Sequence, residues 1–137
     1  MIQDRDASLG GYGDPSAHPE RIDINGGPQL PEDMAEDELT RFREVGHVPS
    51  DSDHDPASDL MHTNGIAYNA ALDQIAVSIH AYNEIWILDH STTTEEAAGS
   101  TGGRWGRGGD LLYRWGNPSS YGRGGDAEQR TFGQHDV

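Results

Sequence analysis

The chain has 137 residues, of which 33% are hydrophobic, and its 24 acidic and 9 basic side chains give a formal net charge of −15. Such a negative surplus repels nucleic-acid phosphates and anionic membrane surfaces, so we expect no nucleic acid and no membrane as partner. The absence of cysteine excludes disulfides, thiolate metal ligands and a cysteine nucleophile. No apolar run approaches the roughly 20 residues that span a bilayer, and the N-terminus lacks a signal-peptide pattern.

The first 58 residues are predicted to be an acidic, loop-rich segment. They hold most of the acidic surplus and almost no alternation of apolar and polar residues. Within them "LPEDMAEDELTRFREVGH" predicts a short helix at about residues 33–45, because acids occupy the first turn and Leu39, Phe42 and Val45 recur at threefold spacing. The following "SDSDHDPASD" offers nothing to bury, which favours a solvated loop.

Residues 59–137 carry the strand patterns. "HTNGIAY", "QIAVSIH" and "EIWILDH" are predicted strands joined by the turns "NAALD" and "AYN", and "DLLYRWG" is a predicted fourth strand. The glycine-rich "STTTEEAAGSTGGRWGRGG" before that strand is predicted to be a long loop that holds no packed element. Four successive strands over about 55 residues match the size of one β-propeller blade.

The third strand indicates how this blade is packed. Ile85, Trp86, Ile87 and Leu88 form an unbroken apolar run, which predicts burial on both faces of the sheet. We therefore predict an all-β fold, a partial β-propeller of about one four-stranded antiparallel blade plus flanking segments. Residues 59–137 would hold this blade and the start of the next, and the remaining propeller blades would be absent from this chain.

Neither a metal nor a nucleotide site is predicted. The acidic "DSDHDP" begins with the spacing of a calcium-binding EF-hand loop, but the glycine and glutamate that complete such a loop are missing. The glycine-rich "GGRWGRGGD" lacks the Lys-Ser/Thr of a phosphate-binding loop. We expect no metal and no cofactor.

Three of the seven histidines are candidates for chemistry. Most histidines are surface side chains or hydrogen-bonded partners in turns. His62, His80 and His135 differ, because each lies at the edge of a predicted strand or beside a glycine-containing turn. Strand ends of this kind open into the channel of a propeller.

These histidines lie in segments that resemble a known family. "DLMHTNGIAYNAALDQIAVSIHAYNEIWILDHS" resembles the Asp-Trp-x-His-x-Asn-Ser-x-x-Tyr-Asp segment, and the two strands after it, of the bacterial arylsulfate sulfotransferase family. "DLLYRWGNPSSYGRG" and "QRTFGQHDV" resemble later segments of that family, in matching order. The resemblance implies a six-bladed propeller enzyme that transfers a sulfuryl group from an aryl sulfate to a phenol. The transfer would pass through a sulfohistidine and need no cofactor.

The resemblance also implies roles for individual residues. His62 and His135 match motif histidines of the channel, so both are expected to be catalytic, stabilising the sulfate oxygens and protonating the leaving phenolate. Asn64 and His80 are expected to bind substrate. Two positions depart from the family pattern, since Leu60 stands where the family has Trp and Gly65 where it often has Ser.

Several properties of the whole protein follow from the resemblance alone. The nucleophilic histidine and the channel arginine would lie beyond the last motif matched here, so we expect an internal fragment that is inactive in isolation. Relatives are generally exported, which implies a periplasmic or exported parent. One alternative is a non-catalytic propeller that binds or scaffolds other molecules. Another is a partly disordered acidic protein with an isolated sheet at residues 60–116.

Overall fold

The computed structural model describes residues 2–3, 11–23, 35–44 and 61–137 of the chain. The strands and α-helices in these ranges are β1 (Ile2–Gln3), β2 (Ile22–Asp23), α1 (Glu36–Glu44), β3 (Thr63–Asn69), β4 (Gln74–Ile79), β5 (Glu84–Asp89), α2 (Thr94–Ala97) and β6 (Tyr113–Trp115). Strands β3 to β6 form a four-stranded antiparallel sheet in chain order, and β1 pairs with β2 in parallel. The described protein is mostly β with little helix, in agreement with the predicted all-β class. Within these ranges no helix has the length and apolar character needed to cross a membrane.

The β3–β4–β5 meander follows the alternation in the sequence closely. The turn between β3 and β4 is stabilised by Asn69, whose side-chain oxygen accepts hydrogen bonds from the backbone N–H groups of Ala71 and Leu72, each at 3.1 Å. Asp73 completes this turn with a φ of 54°. Asparagine and aspartate favour such positions because their side chains bond to nearby backbone and they tolerate left-handed φ values.

The end of the second predicted strand differs from the prediction. His80 was expected to be the last strand residue, but it begins a single 3-10 turn, His80–Tyr82, that connects β4 to β5. Asn83 ends this turn with a φ of 55°, and its N–H bonds to the His80 carbonyl. The strand stops because this left-handed residue reverses the chain within three residues.

The core lies on one face of the sheet and takes a residue from the acidic segment. Its buried members are Ile22, Ile79, Tyr82, Trp86 and Leu111, with Met61, Val77, Ala81 and Leu88 packed around them. Tyr82 donates a 2.7 Å hydrogen bond to the backbone carbonyl of Asp23. Burial raises the pKa of Tyr82 to about 12, so its phenol keeps the donated proton throughout the neutral range. The described residues 11–23 are therefore anchored to the sheet.

A buried ion pair, Glu84–Arg114, lies on the same face of the sheet as this core. The guanidinium of Arg114 donates two hydrogen bonds to the Glu84 carboxylate, at 2.6 and 2.7 Å, and a third, at 3.0 Å, to the backbone carbonyl of Arg21. Trp86 Nε1 and the Ser120 hydroxyl also donate to the same carboxylate. The Glu84–Arg114 pair thus joins β5, β6, the N-terminal segment and the segment after β6.

Residues 91–109 were predicted to be a long loop that holds no packed element, and the structure adds one short helix there, none of whose residues is buried. The first turn of this helix, α2, is closed by a capping box between Thr93 and Glu96. The Thr93 hydroxyl accepts from the Glu96 N–H at 3.2 Å, and the Glu96 carboxylate accepts from the Thr93 N–H at 2.8 Å. The capping signal "TTTEE" was present in the sequence, but the surrounding glycines outweighed it.

The same loop is fixed at its base by Asp89. Its carboxylate accepts hydrogen bonds from the Ser91 N–H and hydroxyl and from the Trp105 N–H, at 2.6–3.0 Å. Burial alone raises the pKa of Asp89, but these hydrogen bonds outweigh that effect and hold the pKa below its ordinary value. The carboxylate therefore stays charged and connects Ser91, at the start of the loop, with Trp105 in its second half.

Gly109→Ala is expected to destabilise the protein by about 1–3 kcal/mol, the usual cost of forcing atoms into packed space. A methyl group at Gly109 would collide with the carbonyl oxygen of Ala97, at the end of α2. Gly99→Ala is the matched control, because a methyl group there would lie 3.7 Å from the Glu96 carbonyl oxygen, an ordinary contact. Urea unfolding of the two variants measures the difference. An equal loss in both would contradict a packed loop.

The sheet face opposite the core, here called the outer face, carries Ile85, Ile87, Tyr113 and Trp115. Ile85 pairs with Trp115 and Ile87 with Tyr113 across β5 and β6. The isoleucines are half-buried, and the two aromatic residues are 59% and 45% exposed respectively. The apolar run in β5 was predicted to be buried on both faces, and the described residues bury its core face more fully than its outer face.

Candidate functional site

Three histidines lie side by side where β3 begins and β4 ends. The ring centroids of His62 and His80 are 4.8 Å apart, those of His80 and His135 are 4.9 Å apart, and those of His62 and His135 are 6.0 Å apart. His62 precedes β3, His80 follows β4, and His135 lies in the segment after β6. The fold therefore brings together both predicted catalytic histidines and one predicted substrate-binding residue. We call these three residues the histidine cluster.

The histidine cluster extends from the interior to the surface. His80 is 1% exposed, His62 is half-buried and His135 is exposed. Of the three residues, His135 and His62 are therefore the ones that offer surface to solvent. The substrate contact of His80 stays a prediction, since its ring offers almost no surface in this chain.

The backbone at His62 has an uncommon conformation. Its φ of 47° lies in the left-handed region, which costs an L-residue with a Cβ roughly 1–2 kcal/mol. The backbone N–H of His80 bonds to the His62 carbonyl at 3.3 Å, and a register shift follows between Thr63 and Gly65. Strained residues and strand irregularities of this kind cluster at functional sites, where they direct a side chain.

Asn64, the other predicted substrate-binding residue, contacts the segment that carries His135. Its side-chain Nδ2 donates a 3.0 Å hydrogen bond to the backbone carbonyl of Gln134. Its Oδ1 is buried and has no hydrogen-bond partner among the described residues. Asn64 is therefore part of the same local structure as the histidine cluster, and its contact with substrate stays a prediction.

Gln134 belongs to this site, and sequence reasoning missed it. Its Nε2 donates to the backbone carbonyls of Ile79 and Glu84, at 3.1 and 2.9 Å. Its own carbonyl accepts from Asn64 and, at 3.4 Å, from the Ser78 hydroxyl. Its signal in the sequence was its place next to His135 in "FGQHDV", but that place does not indicate which groups its side chain contacts.

Gly65 permits the close approach of the same segment to β3. A Cβ built at Gly65 would lie 3.1 Å from the Asp136 Cα and 3.3 Å from the Ser78 Cβ, closer than most side chains tolerate. The family pattern often has Ser at this position. In this chain a side chain there would crowd Asp136 and Ser78, so glycine is the residue that fits. The residue after His135 packs directly on the strand that follows His62.

A second group of polar side chains lies at the opposite end of the sheet. Asp73 Oδ1 is 2.8 Å from His90 Nδ1 and accepts a 2.9 Å hydrogen bond from the Tyr68 hydroxyl. The hydrogen bond with His90 is the largest cause that lowers the pKa of Asp73 below its ordinary value. His90, the residue after β5, thereby joins the end of that strand to the β3–β4 turn. Because His90 lies at the opposite end of the sheet from the histidine cluster, its substitution is a control for substitutions in the cluster.

In the part of the chain that the structure describes, no three or more carboxylate or imidazole groups are arranged to hold a metal ion.

No protein-family model, curated protein or solved structure matches the chain significantly.

Proposed function

We propose that this chain is a fragment of an arylsulfate sulfotransferase-like enzyme, which transfers a sulfuryl group from an aryl sulfate to a phenol, and that it carries part of the enzyme's histidine-lined channel. The convergence of His62, His80 and His135 carries the proposal. His62 and His80 lie at the two ends of the β3–β4 pair, and His135 lies in the segment after β6, so residues distant in the sequence meet at one place. A shared location is what a common role at one sulfate group requires.

The chemistry of sulfuryl transfer suits imidazole groups. In the first step a histidine nitrogen forms a bond to sulfur while the bond from sulfur to the aryl oxygen breaks, and the leaving phenolate takes up a proton. In the second step the acceptor oxygen bonds to sulfur, the N–S bond breaks, and the acceptor proton passes to a base. Histidine can donate hydrogen bonds to sulfate oxygens and exchange protons near neutral pH.

The exposure of the rings supports separate roles within the cluster. We assign His62 and His135 to stabilisation of the sulfate oxygens and protonation of the leaving phenolate, since both offer surface to solvent. His80 flanks both rings from the interior. The nucleophilic histidine and an arginine that meets the sulfate match no motif of this chain, so in this proposal other parts of the parent protein supply them.

The outer face supports the propeller part of the proposal. Ile85, Ile87, Tyr113 and Trp115 form an apolar surface on a four-stranded antiparallel sheet whose other face is already packed. In a propeller each blade covers such a face of its neighbour. We therefore propose that an adjacent blade covers the outer face, in an exported or periplasmic parent.

The test is sulfuryl transfer by a polypeptide in which the reading frame is extended on both sides of this chain in the source DNA. The donor is 4-nitrophenyl sulfate and the acceptor is phenol, so released 4-nitrophenolate and newly formed phenyl sulfate are both measured. We expect donor turnover that depends on phenol and yields phenyl sulfate in equal amount. A folded protein that turns over no donor would overturn the proposal and favour a binding or scaffold propeller.

A further inference from the structure

We propose that Gln134 is a positioning residue that sets the location of His135 relative to His62 and His80. The catalytic consequence of this inference rests on the proposed function, whereas the geometric part can be tested without it. His135 is exposed and lies in residues 129–137, which form neither helix nor strand, and side chains on such segments ordinarily have little fixed orientation. The contacts that fix its backbone come from the residue before it.

The side-chain amide of Gln134 is held in one orientation. Nε2 uses its two N–H groups on the backbone carbonyls of Ile79, at the end of β4, and Glu84, at the start of β5. The reversed orientation would put the amide oxygen against two carbonyl oxygens and lose both bonds. The amide thus bridges two strands at the end of the sheet where His80 lies.

The backbone of Gln134 is fixed to the other side of the same site. Its carbonyl accepts from Asn64 on β3 and from Ser78 on β4, and Ser78 is fully buried. One residue is therefore bonded to β3, β4 and β5 immediately before the chain reaches His135. Gly65 completes this attachment by letting Asp136 approach β3 on the other side of His135.

The unused oxygen of Gln134 argues against a purely stabilising role. Because the amide orientation is fixed, Oε1 is left buried with no hydrogen-bond partner in the described ranges. A buried acceptor without a donor costs free energy, so the Gln134 amide is not the most stabilising side chain for this position. The residue is better explained by where it places its neighbour.

The experiment compares Gln134→Met with Gln129→Met in the whole chain. Methionine is unbranched and of similar length, and it removes the amide in both variants. Gln129 is the matched control because its amide donates only to the Thr131 carbonyl, at 2.8 Å and within its own segment. The first readout is the set of NMR ring-to-ring cross peaks between His80 and His135, whose centroids are 4.9 Å apart. The second is sulfuryl transfer by the extended polypeptide.

We expect Gln134→Met to lose the His80–His135 cross peaks and to lower kcat about tenfold to a hundredfold with little change in KM. Gln129→Met should leave both readouts unchanged. Cross peaks that persist in Gln134→Met would overturn the positioning role. Cross peaks that vanish without any effect on transfer would instead uphold the positioning role and remove His135 from the proposed chemistry.

A second variant keeps the inference testable where Gln134→Met does not fold. Gly65→Ala keeps the Gln134 side chain but forces the segment that carries Gln134 and His135 away from β3 and β4, because its methyl group would lie 3.1 Å from the Asp136 Cα. It should weaken the His80–His135 cross peaks at least twofold while His62–His80 cross peaks persist. Unchanged His135 cross peaks in this variant would contradict the attachment described here.

Discussion

Arg114→Met is expected to lower the free energy of unfolding by about 3–5 kcal/mol, since it leaves a buried carboxylate without its counter-charge. Glu84 is fully buried, and the Arg114 side chain is only 5% exposed. Removing the guanidinium also frees the backbone carbonyl of Arg21, which it binds from β6. A loss of this size is a large part of the stability of an ordinary domain.

Urea unfolding followed by tryptophan fluorescence measures this effect, with Arg107→Met as the control. Arg107 is exposed, so the control removes the same charge without leaving a buried partner. Adding Glu84→Gln to Arg114→Met should restore part of the loss, because the amide oxygen still accepts from Trp86 Nε1 and carries no charge. A loss below 1 kcal/mol in Arg114→Met would show that the pair is not buried as described.

His62→Ala and His135→Ala are each expected to lower kcat for sulfuryl transfer by about 10²–10³ in the extended polypeptide, as removal of one oxyanion donor does in other enzymes. His90→Ala is the matched control, since it removes an imidazole at the opposite end of the sheet. The initial rate of 4-nitrophenolate release with phenol present is the measurement. Losses below tenfold in both variants, or an equal loss in His90→Ala, would contradict the assignment.

The double variant of His62 and His135 tests whether the two rings act on one group. Residues that act as a unit give losses that are far from additive. We therefore expect the double variant to lose much less activity than the product of the two single losses. A fully multiplicative loss would indicate that the two histidines act at separate steps.

The sequence predicted those parts of the fold that depend on local pattern. Alternation and turn residues located β3, β4 and β5 within a residue or two, and the helix predicted at about residues 33–45 is present at Glu36–Glu44. The order of the loop before β6 could not be predicted, because it comes from contacts between distant residues, such as Asp89 with the Trp105 N–H. Such contacts leave no period in the sequence.

For the candidate site, too, the sequence predicted individual residues but not the contacts between distant residues. The motif resemblance predicted site roles for His62, His80, His135 and Asn64. No spacing in the sequence could predict that the three imidazole rings lie 4.8–6.0 Å apart. Gln134 was missed because its role depends on two backbone carbonyls of other strands. A side chain that bonds to backbone has no partner residue type to recognise in advance.

The most direct measurement of the central claim is an NMR titration of the chain, with its imidazoles labelled, by 4-nitrophenyl sulfate. If the histidine cluster is a sulfate site, the His62 and His135 resonances will shift together and saturate with one affinity. The His90 resonance will stay in place, and 4-nitrophenol without the sulfate group will cause smaller shifts. Equal shifts at His90, or no saturable shift at His62 and His135, would contradict a sulfate site in this cluster.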